Sequence, residues 1–417
     1  MAKLEYIHCP SIKPEVLDGR ISWEASRSAS IDRLPQILWN SQEAWSEANV
    51  WALELARKRD IKTVHHAMAQ LVSYATWLES EDLDWWHFPI RESERCLHRF
   101  RGFLISEQAE GRFAPSTISG RMAAVIRFYR WLKLRGLISD TRSMWSERLV
   151  GIRLPDAFGF DRTITVRSTD LSIPHAGVAG AFKLEDGIMP LSSADAREVL
   201  TFYGEHATPE LALMIKVGFS TGLRLGSILD LKVDTLHYAS PDEMAGWYRL
   251  GVGPGAKPPV ATKYGRNGKA LIPATLLGEL REYALGTRRL LRQAKAIEGH
   301  GDFLFLTRFG TPYSEGRAIH VEISRHRALA KRQGLSSVEA FHFHRTRATF
   351  ATTLMRAALK CMSVPDAVHF VREACLHKDE STTLKYVRFV ESSRAMAEAA
   401  DAFTMEFMGL VKEGTDV

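Results

Sequence analysis

The stretch from residue 151 to 190, "GIRLPDAFGF" through "EDGIMP", interrupts helical patterning on both of its sides. It mixes Gly, Pro and Asp with short strand-like runs such as "RTITVRS", so it reads as an extended linker with room for a hairpin of its own. A chain of 417 residues is also too long for one ordinary core. The interruption therefore predicts a helical unit over 41–150, the linker over 151–190 and a second unit over 191–417, while residues 1–40, with scattered Pro and Ser and little periodicity, read as an arm or lead-in.

In the first unit, "KTVHHAMAQLVSYATWLE" puts Val64, Met68, Leu71, Val72, Ala75 and Leu78 on one helical face. "STISGRMAAVIRFYRWLKLRG" does the same with Ile118, Met122, Val125, Tyr129 and Leu132, with Ser116 as the expected N-cap and Gly136 as the stop. Its other face carries Arg121, Arg127, Arg130, Lys133 and Arg135, either a solvated face or one that follows phosphates. In the second unit a helix starts at "MPLSSADAREVLTFY", capped by Ser192 or Ser193. "GWYRLGVGPGAKPPVATKYGRNGKALIP" has strand-like flanks around a Gly-rich turn and predicts a hairpin or small sheet. Beyond about residue 275 the pattern is mainly helical again, and "SSRAMAEAADAFTMEFMGLVKEG" reads as a tail helix with Met396, Ala399, Phe403, Phe407 and Leu410 on one side.

Composition narrows the function classes. Apolar runs such as "LALMIKVGF" stop well short of the roughly 20 residues a bilayer span needs, so a cytoplasmic protein is expected. Cys9, Cys96, Cys361 and Cys375 are far apart and lack metal-ligand spacing, which points to reduced thiols. A formal charge of +6, from 55 basic against 49 acidic residues, permits a nucleic-acid partner without requiring one.

Four patches carry groups suited to chemistry. In "STGLRLGSILDLKVDTL", Arg224 stands at the start of an apolar helical pattern, where an anion is favoured; on an amphipathic helix it would equally be a surface arginine. In "ATKYGRNGKALIP", Lys263 precedes the turn and Lys269 follows it. A lysine so placed can protonate a leaving oxygen, although most hairpin lysines only keep an edge soluble. In "FHFHRTRATFATTL", His344 and Arg347 stand at i and i+3 and can meet a single phosphate, with His342 and Arg345 beside them. His342 and His344 have no carboxylate or cysteine at ligand spacing, which argues against a metal. "CLHKDESTTLKYVRF" adds His377 and Tyr386.

Taken in order, "TGLR", "HRTRATFATTL" and "LHKDESTTLKY" resemble the motif boxes of the tyrosine recombinases, the phage-integrase-like enzymes that cut and rejoin DNA. The second box of that family looks like His-x-x-Arg followed by Phe-Ala-Thr. This chain matches it with the frame at His344, which gives Arg347 the arginine position. The resemblance covers about residues 185–395, while residues 41–140 are similar to the family's core-binding domain in pattern alone. Three positions depart from the family: Ser227 where a Glu that orders the hairpin lysine is common, Leu376 for a glycine and Ala348 for a histidine.

The resemblance implies a mainly α fold with a small β-hairpin in the catalytic domain, closing with the helical domain as a clamp on double-stranded DNA. It implies a homo-tetramer on two duplexes, a tail helix packed on its own domain or a neighbouring subunit, and neither cofactor nor metal. The implied catalytic set is Arg224, Lys263, His344, Arg347, His377 and Tyr386, with Lys269 as the alternative general acid. These residue types suit phosphoryl transfer. Two permanently charged guanidiniums can bind the non-bridging oxygens as charge builds on them. A phenol with an ordinary pKa of about 10 needs such a cluster or a base to become a nucleophile. A covalent phosphotyrosine would conserve the energy of the broken linkage, so ATP is not needed. Two other classes compete: a DNA-binding regulator that keeps the fold without catalysis, and a metal-dependent phosphodiesterase built on His342 and His344.

Overall fold

In the computed structural model of the chain, residues 1–17, 20–139, 143–155, 161–173, 184, 187–313 and 316–393 are described. The expected tail helix with Met396, Ala399, Phe403, Phe407 and Leu410 lies outside the described residues. The chain divides into two compact units, Met1–Ala179 and Gly180–Val417, and the fold is mainly α with small antiparallel sheets. Among the described residues no helix is long and apolar enough to cross a membrane.

The first unit opens with β1 (Lys3–Leu17) and β2 (Arg20–Leu38), an antiparallel pair running from Lys3 opposite Leu38 to Leu17 opposite Arg20, with irregularities around Cys9. The sequence reads here as an irregular lead-in, because strand pairing draws its order from a partner elsewhere in the chain and leaves little local periodicity. Four helices follow: α1 (Ser46–Ala56), α2 (Ile61–Ser80), α3 (Cys96–Ala109) and α4 (Pro115–Leu134). The Asn49 side chain ties α1 to β2, accepting from the Ile37 amide at 2.7 Å and donating to the Ile37 carbonyl at 3.1 Å.

The predicted faces of α2 and α4 are buried except for Val72, which is half-buried. Trp45, Tyr74, Phe100, Phe128 and Tyr129 pack between the helices. Burying rings of this kind contributes about 1.5–3 kcal/mol apiece. The two tyrosine hydroxyls meet at 2.8 Å and join α2 to α4 inside this core. The cap of α4 differs from expectation: Pro115 takes the first helical position behind Ala114, so Ser116 falls within the first turn. Gly136 follows the helix with φ 66°, as its stop role requires. β3 (Glu147–Pro155) and β4 (Asp161–Thr169) then pair as a hairpin that begins four residues before the predicted linker and runs into it.

The second unit begins with α5 (Ser193–His206), capped by Ser192, whose hydroxyl accepts from the Asp195 amide at 3.1 Å. Then come α6 (Pro209–Thr221), α7 (Leu225–Leu229) and α8 (Val233–His237). A three-stranded sheet follows: β5 (Ser240–Pro241) and β7 (Gly268–Pro273) lie on either side of β6 (Trp247–Val252). The remaining helices are α9 (Ala274–Leu285), α10 (Thr287–Gln293), α11 (Arg317–Gln333), α12 (Ser336–Glu339), α13 (His344–Cys361) and α14 (Val364–Cys375). Among the described residues the final helix, α15, occupies residues 380–393.

Two glycines let α6 and α13 approach closely. A Cβ on Gly218 would lie 2.6 Å from Thr346 Oγ1, and one on Gly222 would run into the Phe350 ring at Cδ1. This contact brings the end of α6 and the start of α13 together, and the candidate site is built there.

Candidate active site

The first motif turns on Gly222. It ends α6 in the left-handed conformation, φ 65°, and the chain then enters α7 with Arg224 as its N-cap residue, half-buried. The second motif opens α13, where His344 is half-buried and Arg347, one turn in, is 2% exposed. A buried guanidinium is costly unless its donors are used. Arg347 donates from Nη1 to the Gly222 carbonyl and from Nη2 to the Cys375 carbonyl, each at 2.7 Å. One side chain thus joins the first motif to the third.

In the third motif α14 ends at Cys375, and Leu376 takes φ 54°, a left-handed conformation that a non-glycine residue adopts only under local strain. His377 and Tyr386 are both buried, with rings stacked at 5.8 Å between centroids and 12° between planes. The His377 Nδ1 is hydrogen-bonded to Thr383 Oγ1 at 2.9 Å. Tyr386 sits on α15 in a cluster with Ala351, Met355, Val371 and Cys375, and has no exposed surface.

The hairpin lysines are both exposed. Lys269 lies on β7 opposite Gly251, and Lys263 belongs to the loop between β6 and β7, its Nζ 5.4 Å from the centre of the Tyr264 ring. The loop meets the first motif through Asp230, whose carboxylate accepts from the Ala261 amide at 2.5 Å. It meets the third through Arg266, which donates to the His377 carbonyl. Neither residue stands out in the sequence. Asp230 lies three positions beyond Ser227, in reach of the signal for an ordering acid, whereas Arg266 carries no periodic or spacing signal.

The flanking pair in the second motif is placed differently. Arg345 donates to the Met189 and Ala340 carbonyls at 3.2 and 3.1 Å. His342 is held neutral-leaning, its pKa lowered by burial and then by the nearby Arg327 and Arg345. Among the described residues no three His, Cys, Asp or Glu side chains gather as a metal-binding group.

The basic stripe of α4 lies in the other unit and is partly engaged. Arg130 pairs with Glu147 at 3.2 Å and Arg135 with Glu54 at 2.6 Å, while the Arg121 guanidinium covers the Phe113 ring at 4.0 Å. Arg127 and Lys133 are its other exposed members. A second basic face, absent from the sequence reading, lies on α11, where Arg317, His320, Arg325, Lys331 and Arg332 are exposed.

Residues 191–392 match the model of the phage integrase family. No curated protein matches the chain in sequence. In structure the chain is similar to the Tn1549 transposon integrase (residues 82–397) in complex with circular intermediate DNA, at 15% identity, covering 82% of this chain and 94% of that one, with a TM-score of 0.46. A lambda integrase (75–356) dimer bound to a COC′ core site is similar at 13% identity, 82% and 94% coverage and a TM-score of 0.47. XerA recombinase is similar at 15% identity, 82% and 91% coverage and a TM-score of 0.33. Residues 191–392, which enclose all three motifs and the arginine that joins them, are thus the part of the chain that matches the phage integrase family, the tyrosine recombinases.

Proposed function

We propose that the protein is a site-specific DNA recombinase or integrase that cuts and rejoins duplex DNA through a 3′-phosphotyrosyl intermediate. The observation that carries this reading is the bridge made by Arg347 between Gly222 and Cys375, which gathers Arg224, His344, His377 and Tyr386 onto adjoining segments. The Tyr386 Oη forms a bond to the scissile phosphorus as the bond to the 5′-oxygen breaks. The phenolic proton leaves through a histidine or water, and Lys263 gives a proton to the departing 5′-hydroxyl. Arg224 and Arg347 take up the charge on the non-bridging oxygens, and His344 and His377 add hydrogen bonds. Residues 191–417 act as the catalytic domain and 41–150 as a DNA-binding domain, with residues 1–40 as an arm. Four protomers work on two duplexes, in the cytoplasm and on the nucleoid. The exposed basic face of α11 supplies phosphate contacts in the catalytic domain.

A second reading, a DNA-binding regulator with a silent centre, is favoured by the complete burial of Tyr386. A nicked suicide duplex distinguishes the two. Wild-type protein is expected to form a covalent adduct that survives a denaturing gel and excess EDTA. Tyr386→Phe is expected to form none while binding the duplex as tightly. An adduct in the Phe variant places the nucleophile elsewhere, an EDTA-sensitive one favours the metal-dependent class, and no adduct from wild type leaves the regulator.

A further inference from the structure

The loop that carries Lys263 is fastened on both sides of that lysine, each time to a different motif. On its N-terminal side the Asp230 carboxylate accepts from the Ala261 amide at 2.5 Å, and the Lys232 ammonium, itself 2.8 Å from that carboxylate, donates to the Pro259 carbonyl at 2.9 Å. On its C-terminal side three contacts run in sequence along the third motif. The Lys378 ammonium lies 5.3 Å from the Tyr264 ring centre, Arg266 donates to the His377 carbonyl, and Leu376 Cδ2 fills the space where a Gly268 Cβ would sit. Within the loop, Thr262 Oγ1 donates to the Arg266 carbonyl at 2.6 Å and closes the segment on itself. Residue 227, where the family resemblance leads one to expect an ordering acid, is a buried serine.

We infer that Asp230 and Arg266 are positioning residues for the general acid: a first-motif carboxylate and a third-motif contact clamp residues 261–266 so that Lys263 faces the same phosphate as His377. Lys263 is a long, exposed side chain on a long loop, so its reach is set by the loop's backbone. Fixing both flanks removes that freedom before the substrate arrives, and a misplacement of about 1 Å at such a site slows chemistry by about 10²-fold. Each contact has a conservative replacement. Asp230→Asn keeps an oxygen for the Ala261 amide, and Arg266→Lys keeps a donor for the His377 carbonyl.

This inference rests on the recombinase reading, and two measurements keep the two separable. Amide hydrogen exchange on the whole protein, without DNA, reads the clamp alone: Asp230→Ala is expected to raise exchange at Ala261, and Arg266→Ala to raise it across residues 264–268. Single-turnover cleavage then reads its purpose on two duplexes, one with an ordinary phosphodiester and one with sulfur as the 5′-bridging atom, which leaves without a proton. Both alanine variants are expected to cleave the oxygen substrate about 10²-fold more slowly, to cleave the sulfur substrate at the wild-type rate, and to bind DNA unchanged. The conservative changes Asp230→Asn and Arg266→Lys are expected to recover most of the loss. Unchanged exchange in both alanine variants overturns the clamp, and a parallel loss on oxygen and sulfur overturns its link to proton donation. Absence of any adduct from wild type overturns the recombinase reading instead, with the exchange result still deciding whether the loop is clamped.

Discussion

Two positions separate Arg345 from Arg347, and their guanidiniums hold different carbonyls: Met189 and Ala340 for the first, Gly222 and Cys375 for the second. Truncating Arg347 strips donors from two buried acceptors, each worth about 1–3 kcal/mol when left unsatisfied. On the proposed mechanism it also removes an oxyanion donor, worth about 10²–10³ in rate. Arg347→Ala is therefore expected to lose both stability and cleavage, and Arg347→Lys to recover little, because one ammonium has no planar fork to span both carbonyls. Arg345→Ala is expected to lose stability while the folded fraction cleaves within a few-fold of wild type. Denaturant titration beside single-turnover cleavage tests the contrast, and Arg345→Ala proving the slower cleaver would reverse the frame of the second motif. The two histidine–arginine frames were already distinguishable in the sequence by where Phe350, Ala351 and Thr352 fall. The carbonyls that each arginine holds were not, since they come from residues up to 156 positions away.

At the scale of elements, Gly222 couples helix packing to the site. Its left-handed φ of 65° ends α6, its missing side chain admits Phe350, and its carbonyl is an Arg347 acceptor. Gly222→Ala is expected to destabilise the second unit by about 1–3 kcal/mol through strain and overpacking, and to slow cleavage with it. Gly226, in the first turn of α7 with nothing within 4 Å of its absent Cβ, is the internal control. Gly226→Ala is expected to be neutral or to stabilise by up to about 1 kcal/mol. Equal urea midpoints for the two variants would refute the packing account. Elements whose signal is local were legible: the apolar faces of α2 and α4 and the Ser192 cap of α5. Those that depend on a distant partner were not. The β1–β2 pairing, the strained Leu376 seated against Gly268 and the Asp230–Ala261 contact each need a second segment before they have meaning. The expected Ser116 cap lies two residues from the observed one, Ala114, because Pro115 claims the first helical position.

For the molecule as a whole, the chain divides into two compact units, Met1–Ala179 and Gly180–Val417, and each has its own interior. Among the described residues, one apolar core draws on residues up to Ile173, and the others on residues from Leu184 onward. Each unit is therefore expected to unfold cooperatively by itself. If both hold DNA, the peptide bond between Ala179 and Gly180 acts as an affinity device in its own right. Once one unit is on the duplex, the other searches a small volume instead of the whole solution. Such tethering multiplies affinity by about 10²–10⁴ without adding a contact. A protease site inserted at that boundary isolates the effect. After cutting, both fragments are expected to keep their separate melting transitions, while the concentration needed to occupy a duplex rises by about that factor. Undiminished binding by the cut protein would assign the duplex to one unit alone, and the effective concentration that the other experiences would then serve the chemistry and not the grip.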